Sequence, residues 1–233
     1  MADADPITAY RPSVSNPAQL SAAGQLELEL GGVHQNMDDT QRNSLPYLLK
    51  LAFNKEWGIL IGGNAIMATH DATGSAHGWG DTDFTVKRAW IMDEATALGM
   101  EFGVKLSTAG DKFGTDNTDY TLNTIYSKDM GAIHMDLNLN DTSLGFADPG
   151  TSHSQIGWAS SFSTALSQKW GTNIEFSGTH QGGVANAVQL LAALTYSPNK
   201  RLTFDFGFIR AFQPSPGNTS LFSGVVFPLG KLF

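Results

Sequence analysis

The sequence predicts an all-β fold, a transmembrane up-and-down antiparallel β-barrel of about 12 strands, on three observations. The chain closes on Ser220–Phe233, where Leu221, Val225, Phe227, Leu229 and Phe233 share one parity and would line one face of an extended strand. Ser223 and Lys231 are the exceptions on that face. Segments of period 2 recur along the chain and mostly run nine to thirteen residues. Strands tilted across a bilayer need about 9–11 residues, whereas soluble strands typically have about 5–6. Finally, short and long connections alternate, as tight turns at one end of a barrel and longer loops at the other require.

The elements follow in order. Residues 1–23 carry Pro6, Pro12 and Pro17 among Ser and Ala and read as an extended N-terminal segment, separate from the barrel of residues 24–233. The start, MADADP, reads as a mature N-terminus behind an initiator Met, any signal peptide having been removed. Gln25–Leu30 alternates strictly, with Leu26, Leu28 and Leu30 against Glu27 and Glu29. Further strands are expected at Asn43–Phe53, Trp57–Met67, Thr82–Met92, Ala97–Ser107, Tyr120–Ser127, Ala132–Asn140, Trp158–Ser167, Thr172–His180, Ala187–Tyr196, Leu202–Phe212 and Ser220–Phe233. Asn54–Glu56, Asp93–Thr96, Lys128–Gly131, Gln168–Gly171 and Ser197–Arg201 are short links, whereas Ala68–Asp81, Thr108–Asp119 and Asp141–Gly157 are long.

The short links share a plan in which an aromatic or apolar residue ends one strand, Ser or Asn makes the turn, and Trp or Met opens the next. Phe53, Trp57, Tyr126, Trp170 and Tyr196 would then form an aromatic belt at a membrane interface. A closing strand that ends on an aromatic is similar to the assembly signal of bacterial outer-membrane barrels, which singles out Phe227, Leu229 and Phe233.

Composition narrows the function classes. Only 15% of residues are charged, Gly numbers 25, there is no Cys, and the net charge is −8. The acidic balance argues against nucleic acid as a partner, and without Cys there is neither a disulfide nor a thiolate metal site. No apolar run reaches the about 18 residues of a transmembrane helix.

In a barrel the apolar face of each strand meets lipid and the polar face meets the lumen. Ile133, Met135, Leu137 and Leu139 against His134, Asp136, Asn138 and Asn140 separate the two faces most clearly. The candidate lumen lining is Glu27, Glu29, Lys50, Asp83, Lys87, Glu101, Lys105, His134, Asp136, Asn138, Glu175 and Asp205. Seven acids against three bases predicts a hydrated, cation-tolerant interior. Arg88 and Arg210 share parity with lipid-facing residues; Arg210 is expected above the bilayer near the outer rim, and Arg88 has no account.

Arg11-Pro-Ser-Val-Ser-Asn-Pro17 leading into Gln25–Gly31, Gly78-Trp-Gly-Asp-Thr-Asp-Phe-Thr-Val-Lys87, and the closing hairpin Leu202–Phe233 resemble the outer-membrane barrels associated with the meta-cleavage pathway of phenol degradation. The resemblance implies a transporter of small hydrophobic or aromatic molecules in a bacterial outer membrane. Its expected partners are the lipid bilayer, the barrel assembly machinery and small-molecule solutes, with no cofactor.

Other readings stay open. His70, Asp71, His77 and Asp81, and then Asp111, Asp116, Asn117 and Asp119, lie in long loops without the spacing of a zinc or calcium site, so no metal is expected. His134 and Asp136 with a serine would imitate a lipid esterase or acyltransferase, but no motif selects the serine. No catalytic residues are assigned and the chain is not expected to be an enzyme. A structural or interaction barrel, with its lumen plugged by side chains and the N-terminal segment, is the alternative to a channel.

Overall fold

The computed structural model describes residues 5–110 and 113–233. Its strands are β1 (Gln25–Met37), β2 (Thr40–Ala52), β3 (Trp57–Asp71), β4 (Gly74–Gly78), β5 (Thr82–Ile91), β6 (Thr96–Leu106), β7 (Asp119–Met130), β8 (Ile133–Ser143), β9 (Ser154–Ala165), β10 (Trp170–Gln181), β11 (Ala187–Asn199), β12 (Leu202–Gln213) and β13 (Thr219–Lys231). Each strand but β4 pairs antiparallel with its neighbours on both sides, and β1 pairs with β13, so twelve strands close into a barrel. Closure leaves the twelve barrel strands without an open edge, and β4, paired with β3 alone, stands outside the ring. Leu232 extends the seam by donating its N–H to the carbonyl of Gly24 at 2.8 Å.

The barrel departs from the sequence reading in its long-loop half. β1 and β2 extend to Met37 and from Thr40, leaving only Asp38–Asp39 as their turn, with Asp38 in the left-handed region at φ 43°. Val33–Asn43 is polar on both faces apart from Val33 and Met37, so period 2 fades there although the ladder continues. The expected loop Ala68–Asp81 is largely strand: β3 runs on to Asp71 and folds back through β4. Its turn is held by Asp71, whose carboxylate accepts N–H bonds from Thr73 and Gly74. Thr73, through its hydroxyl and then its N–H, holds that exposed carboxyl below its ordinary range.

A bulge removes one exception in the closing strand. Register shifts where Leu26 faces Gly230 and Glu27 faces Pro228, so Lys231 comes to lie opposite Gln25, which is buried in the interior. There it pairs with Asp5 at 3.3 Å. Phe227, Leu229 and Phe233 lie at this seam, and Leu229 and Phe233 are exposed.

The two faces of the wall are sorted by parity. Phe102, Leu122, Leu137, Leu139, Ile174, Phe176, Phe204 and Phe206 point outward and are exposed, while Glu27, Glu29, Lys50, Lys87, Glu175 and Asp205 point inward and are buried. This inverts a soluble domain, whose buried residues are mostly apolar. At the short-turn end Phe53, Trp57 and Trp170 are exposed, Tyr126 and Tyr196 are half-buried, and the Trp170 and Tyr196 rings lie 4.8 Å apart. Arg88 finds its explanation here. Its guanidinium lies 5.0 Å from the Trp57 ring and 4.7 Å from the Trp90 ring, with Glu56 at 3.6 Å.

Candidate functional site in the lumen

The N-terminal segment occupies the lumen. Three prolines keep it out of any ladder, yet Tyr10, Ser15, Ala18 and Ser21 are buried. An irregular segment away from water must find partners for its backbone groups, and the wall side chains provide them. The segment enters at the short-turn end, where Ile7 donates its N–H to the carbonyl of Lys200 at 3.0 Å. It then follows the inner wall around and returns, closing on itself where the Tyr10 hydroxyl donates to the Gln19 carbonyl at 2.9 Å and Thr8 Oγ1 to that of Leu20 at 3.3 Å.

Around this loop the acids accept backbone donors. Glu27 receives the N–H of Thr8, and Glu29 those of Tyr10 and Arg11 at 2.8 and 3.0 Å. Glu175 receives the N–H groups of Val14 and Ser15 at 3.0 and 2.8 Å and the Ser15 hydroxyl at 2.8 Å. Asn138 exchanges two bonds with Asn16, whose side-chain amide donates to Glu101 at 3.0 Å. The bases serve the carbonyls: Lys50 donates to Thr8 and Lys87 to Pro17.

The same lysines neutralise the acids. Lys50 lies 3.0 Å from Glu27 and 2.6 Å from Glu29, and Lys87 lies 3.0 Å from Glu101. Both ammonium groups stand 4.3 Å from the centre of the Tyr10 ring. Burial first, then the charges of Glu101, Glu29, Glu27 and Asp136, push the Tyr10 phenol well above its ordinary pKa, so it stays a neutral donor.

Arg11 supplies the cation for Asp205, meeting it side-on at 2.9 and 2.8 Å. It reaches across two glycines that face each other in register, Gly31 of β1 and Gly224 of β13. A Cβ on either would strike the guanidinium. The excess of acids that the sequence reading assigned to water is thus met by Arg11 and by backbone donors. Tyr10, Arg11 and Asn16 have no place in the sequence reading because the segment carrying them has no period, and Ser127, Gly31 and Gly224 matter only through that segment, although they lie on β7, β1 and β13.

The remaining expected lining residues divide. Asp136 accepts from the Ser127 hydroxyl, and Ser127 Oγ in turn accepts the N–H of Ala18 at 2.8 Å. His134 bridges Asp129 at 2.5 Å and Asp136 at 3.1 Å. The serine is bound to the acid instead of the histidine, so no nucleophile–base pair forms in this cluster. Asp83 and Lys105 are opposite in register at the long-loop mouth, but Lys105 pairs with Asp119 at 2.7 Å and Asp81 at 3.6 Å. Among the described residues no group of His, Asp and Glu is arranged to hold a metal ion; Asp111 lies outside them.

The segment separates two spaces. Toward the short turns is a cavity of about 680 Å³ lined by Tyr10, Arg11, His134, Ser163, Asn173 and Thr195. Toward the long loops is one of about 220 Å³ lined by Val14, Asn16, Asn123, Asn138, Asn140 and Gln189. Two residues below Gln189 on the same inward face of β11 begins an apolar patch of Leu191, Ala193 and Phe222, with Val33 and Ile209 packed against it. The lumen wall is therefore amphipathic, with amides on β7 and β8 and hydrocarbon on β11–β13.

No family model and no curated protein matches the sequence. Solved structures match the fold. An outer membrane channel from Pseudomonas putida F1 aligns with TM-score 0.71 at 13% identity over 91% of this chain and 98% of that one. The NanC porin aligns with TM-score 0.64 at 11% identity over 87% and 100%. The CymD monoaromatic hydrocarbon channel aligns with TM-score 0.55 at 8% identity over 91% and 89%.

Proposed function

We propose that the chain is an outer-membrane channel for small molecules, held closed by its N-terminal segment. The observation that carries this reading is the lumen itself. A polar interior encloses a segment anchored by wall side chains, with open space on both sides of it. A wall made only to be filled would need neither cavity. The apolar outer surface and the aromatics at the short-turn end suit a bilayer. The terminal Phe233 and the residues before it would serve recognition by the barrel assembly machinery. Small aromatic solutes are the class we favour, because the inward face carries both an apolar patch at Leu191, Ala193 and Phe222, buried in the closed form, and amides at Asn123 and Asn138. The resemblance to barrels of phenol degradation points the same way. Ser127, His134 and Asp136 are read as supports for the segment, and the barrel as a conduit without a catalytic step.

Planar-bilayer conductance tests the reading. The full-length chain should show small or rare openings, and a chain lacking residues 1–23 should show larger, long-lived ones, with both migrating as heat-modifiable barrels. Absence of current from both chains would favour the plugged structural barrel, a reading supported by how densely the segment is bonded.

A further inference from the structure

The outer surface carries a feature that the channel reading leaves unused. Across β10–β13 an apolar trough of about 580 Å³ is walled by Ile174, Leu194, Phe206, Phe208 and Leu221. Ala192 makes its floor, since it faces outward directly between Ile174 of β10 and Phe208 of β12 and is too short to reach their height. Along β12, two residues beyond Phe208 on the same face, stands Arg210, about 6–7 Å further toward the long loops. It is exposed, its cross-strand neighbours are Leu190 and Thr219, and among the described residues no carboxylate lies within ion-pair distance. The other outward arginine, Arg88, has Glu56 and two tryptophan rings.

An unpaired guanidinium at the outer end of a hydrocarbon trough has the layout of an acylated lipid with a phosphate. We propose that this face binds a phosphate-bearing lipid of the outer leaflet, with one acyl chain along Ala192 and the phosphate on Arg210. Arg suits this role because its planar fork can donate two parallel bonds to phosphate oxygens. The trough holds the chain by van der Waals packing, since no water is displaced within the bilayer, and the arginine selects the headgroup. This inference rests on the barrel lying in an outer membrane, but not on its conducting.

The test uses the full-length protein in detergent micelles doped with lipid A or with its dephosphorylated form, read by native mass spectrometry. Wild type should retain one phosphorylated lipid. Arg210→Gln should lower that retention about tenfold, the scale of losing a charge-assisted contact. Ala192→Phe, which fills the trough, should lower retention as well, and Lys55→Gln at the opposite end should leave it at the wild-type level. Conductance of Arg210→Gln should match wild type, which separates this site from the lumen. Equal retention by Arg210→Gln and wild type would overturn the proposal. So would equal retention of the dephosphorylated lipid, which would mean ordinary hydrocarbon contact around the barrel. Failure of the wild type to enter lipid vesicles would instead remove the membrane reading on which the site rests.

Discussion

Two lysines of the lumen sit in similar acidic company and in different physics. Lys50, on β2, is 1% exposed and lies between Glu27 and Glu29, themselves 0% and 2% exposed. Lys105, on β6, is 24% exposed and lies between Asp81 and Asp119 at the long-loop mouth, at 10% and 13%. The inner cluster is completed by the N-terminal segment, which places the N–H groups of Thr8, Tyr10 and Arg11 on the two glutamates and the carbonyl of Thr8 on the lysine. The outer cluster is completed by loop groups: Asp81 accepts the N–H groups of Thr108 and Ala109 at 3.0 and 2.9 Å, and Asp119 that of Gly145 at 2.9 Å. What burial adds at the inner site is dependence on a partner segment. Each charge there is tolerable only while the others and the segment remain.

The sharpest way to break the comparison is Lys50→Met. It leaves two buried carboxylates uncompensated and should cost about 3–5 kcal/mol in urea unfolding from lipid vesicles. In a chain lacking residues 1–23 the same substitution should cost about 1 kcal/mol or less, because the glutamates then meet water. Equal costs in both chains would detach the inner cluster from the segment.

Gly224→Val tests the anchor at Arg11. The added side chain would enter the space of the guanidinium, and overpacking of this kind typically costs about 1–3 kcal/mol. Adding Arg11→Ala should recover part of that loss while lowering the affinity of the segment, seen as faster proteolysis near its start. No recovery would mean that the valine strains the ladder itself. The smallest effect is expected from Lys105→Met, under about 1 kcal/mol by the same unfolding measurement, since its pairs are partly exposed and replaceable by water.

The comparison also shows what the sequence made legible. Strand parity assigns Glu27, Glu29, Lys50, Glu175 and Asp205 to the interior, because alternation records which side of a strand is polar. It cannot tell buried from wet among polar groups, so Lys50 and Lys105 look alike in sequence. The distinction lies in residues 5–23, whose prolines and lack of period hide a fixed path made of backbone contacts. Sequence carries no pattern for a backbone N–H, and so Tyr10 and Arg11 went unassigned. The glycines show the same limit. Gly31 and Gly224 are unremarked in a chain with 25 glycines until register places them opposite each other under Arg11. Arg88 has no account in the sequence because its partners are aromatic faces, while Lys231 and the strand ends at Met37 and Thr40 are misplaced there by a bulge and by a stretch polar on both faces.

The central claim is that residues 5–23 occupy the lumen and close it, and a reversible cross-link tests it most directly. The hydroxyls of Ser13, on the segment, and Ser161, on the inner face of β9, lie 3.3 Å apart. The chain has no native Cys, so Ser13→Cys with Ser161→Cys introduces a single thiol pair. In the folded barrel in a planar bilayer, mild oxidant should form the disulfide and hold conductance at its closed level, and reductant should restore the openings of the unlinked chain. Thiols that stay free under oxidant, react readily with a water-soluble maleimide and leave conductance indifferent to reductant would contradict the account.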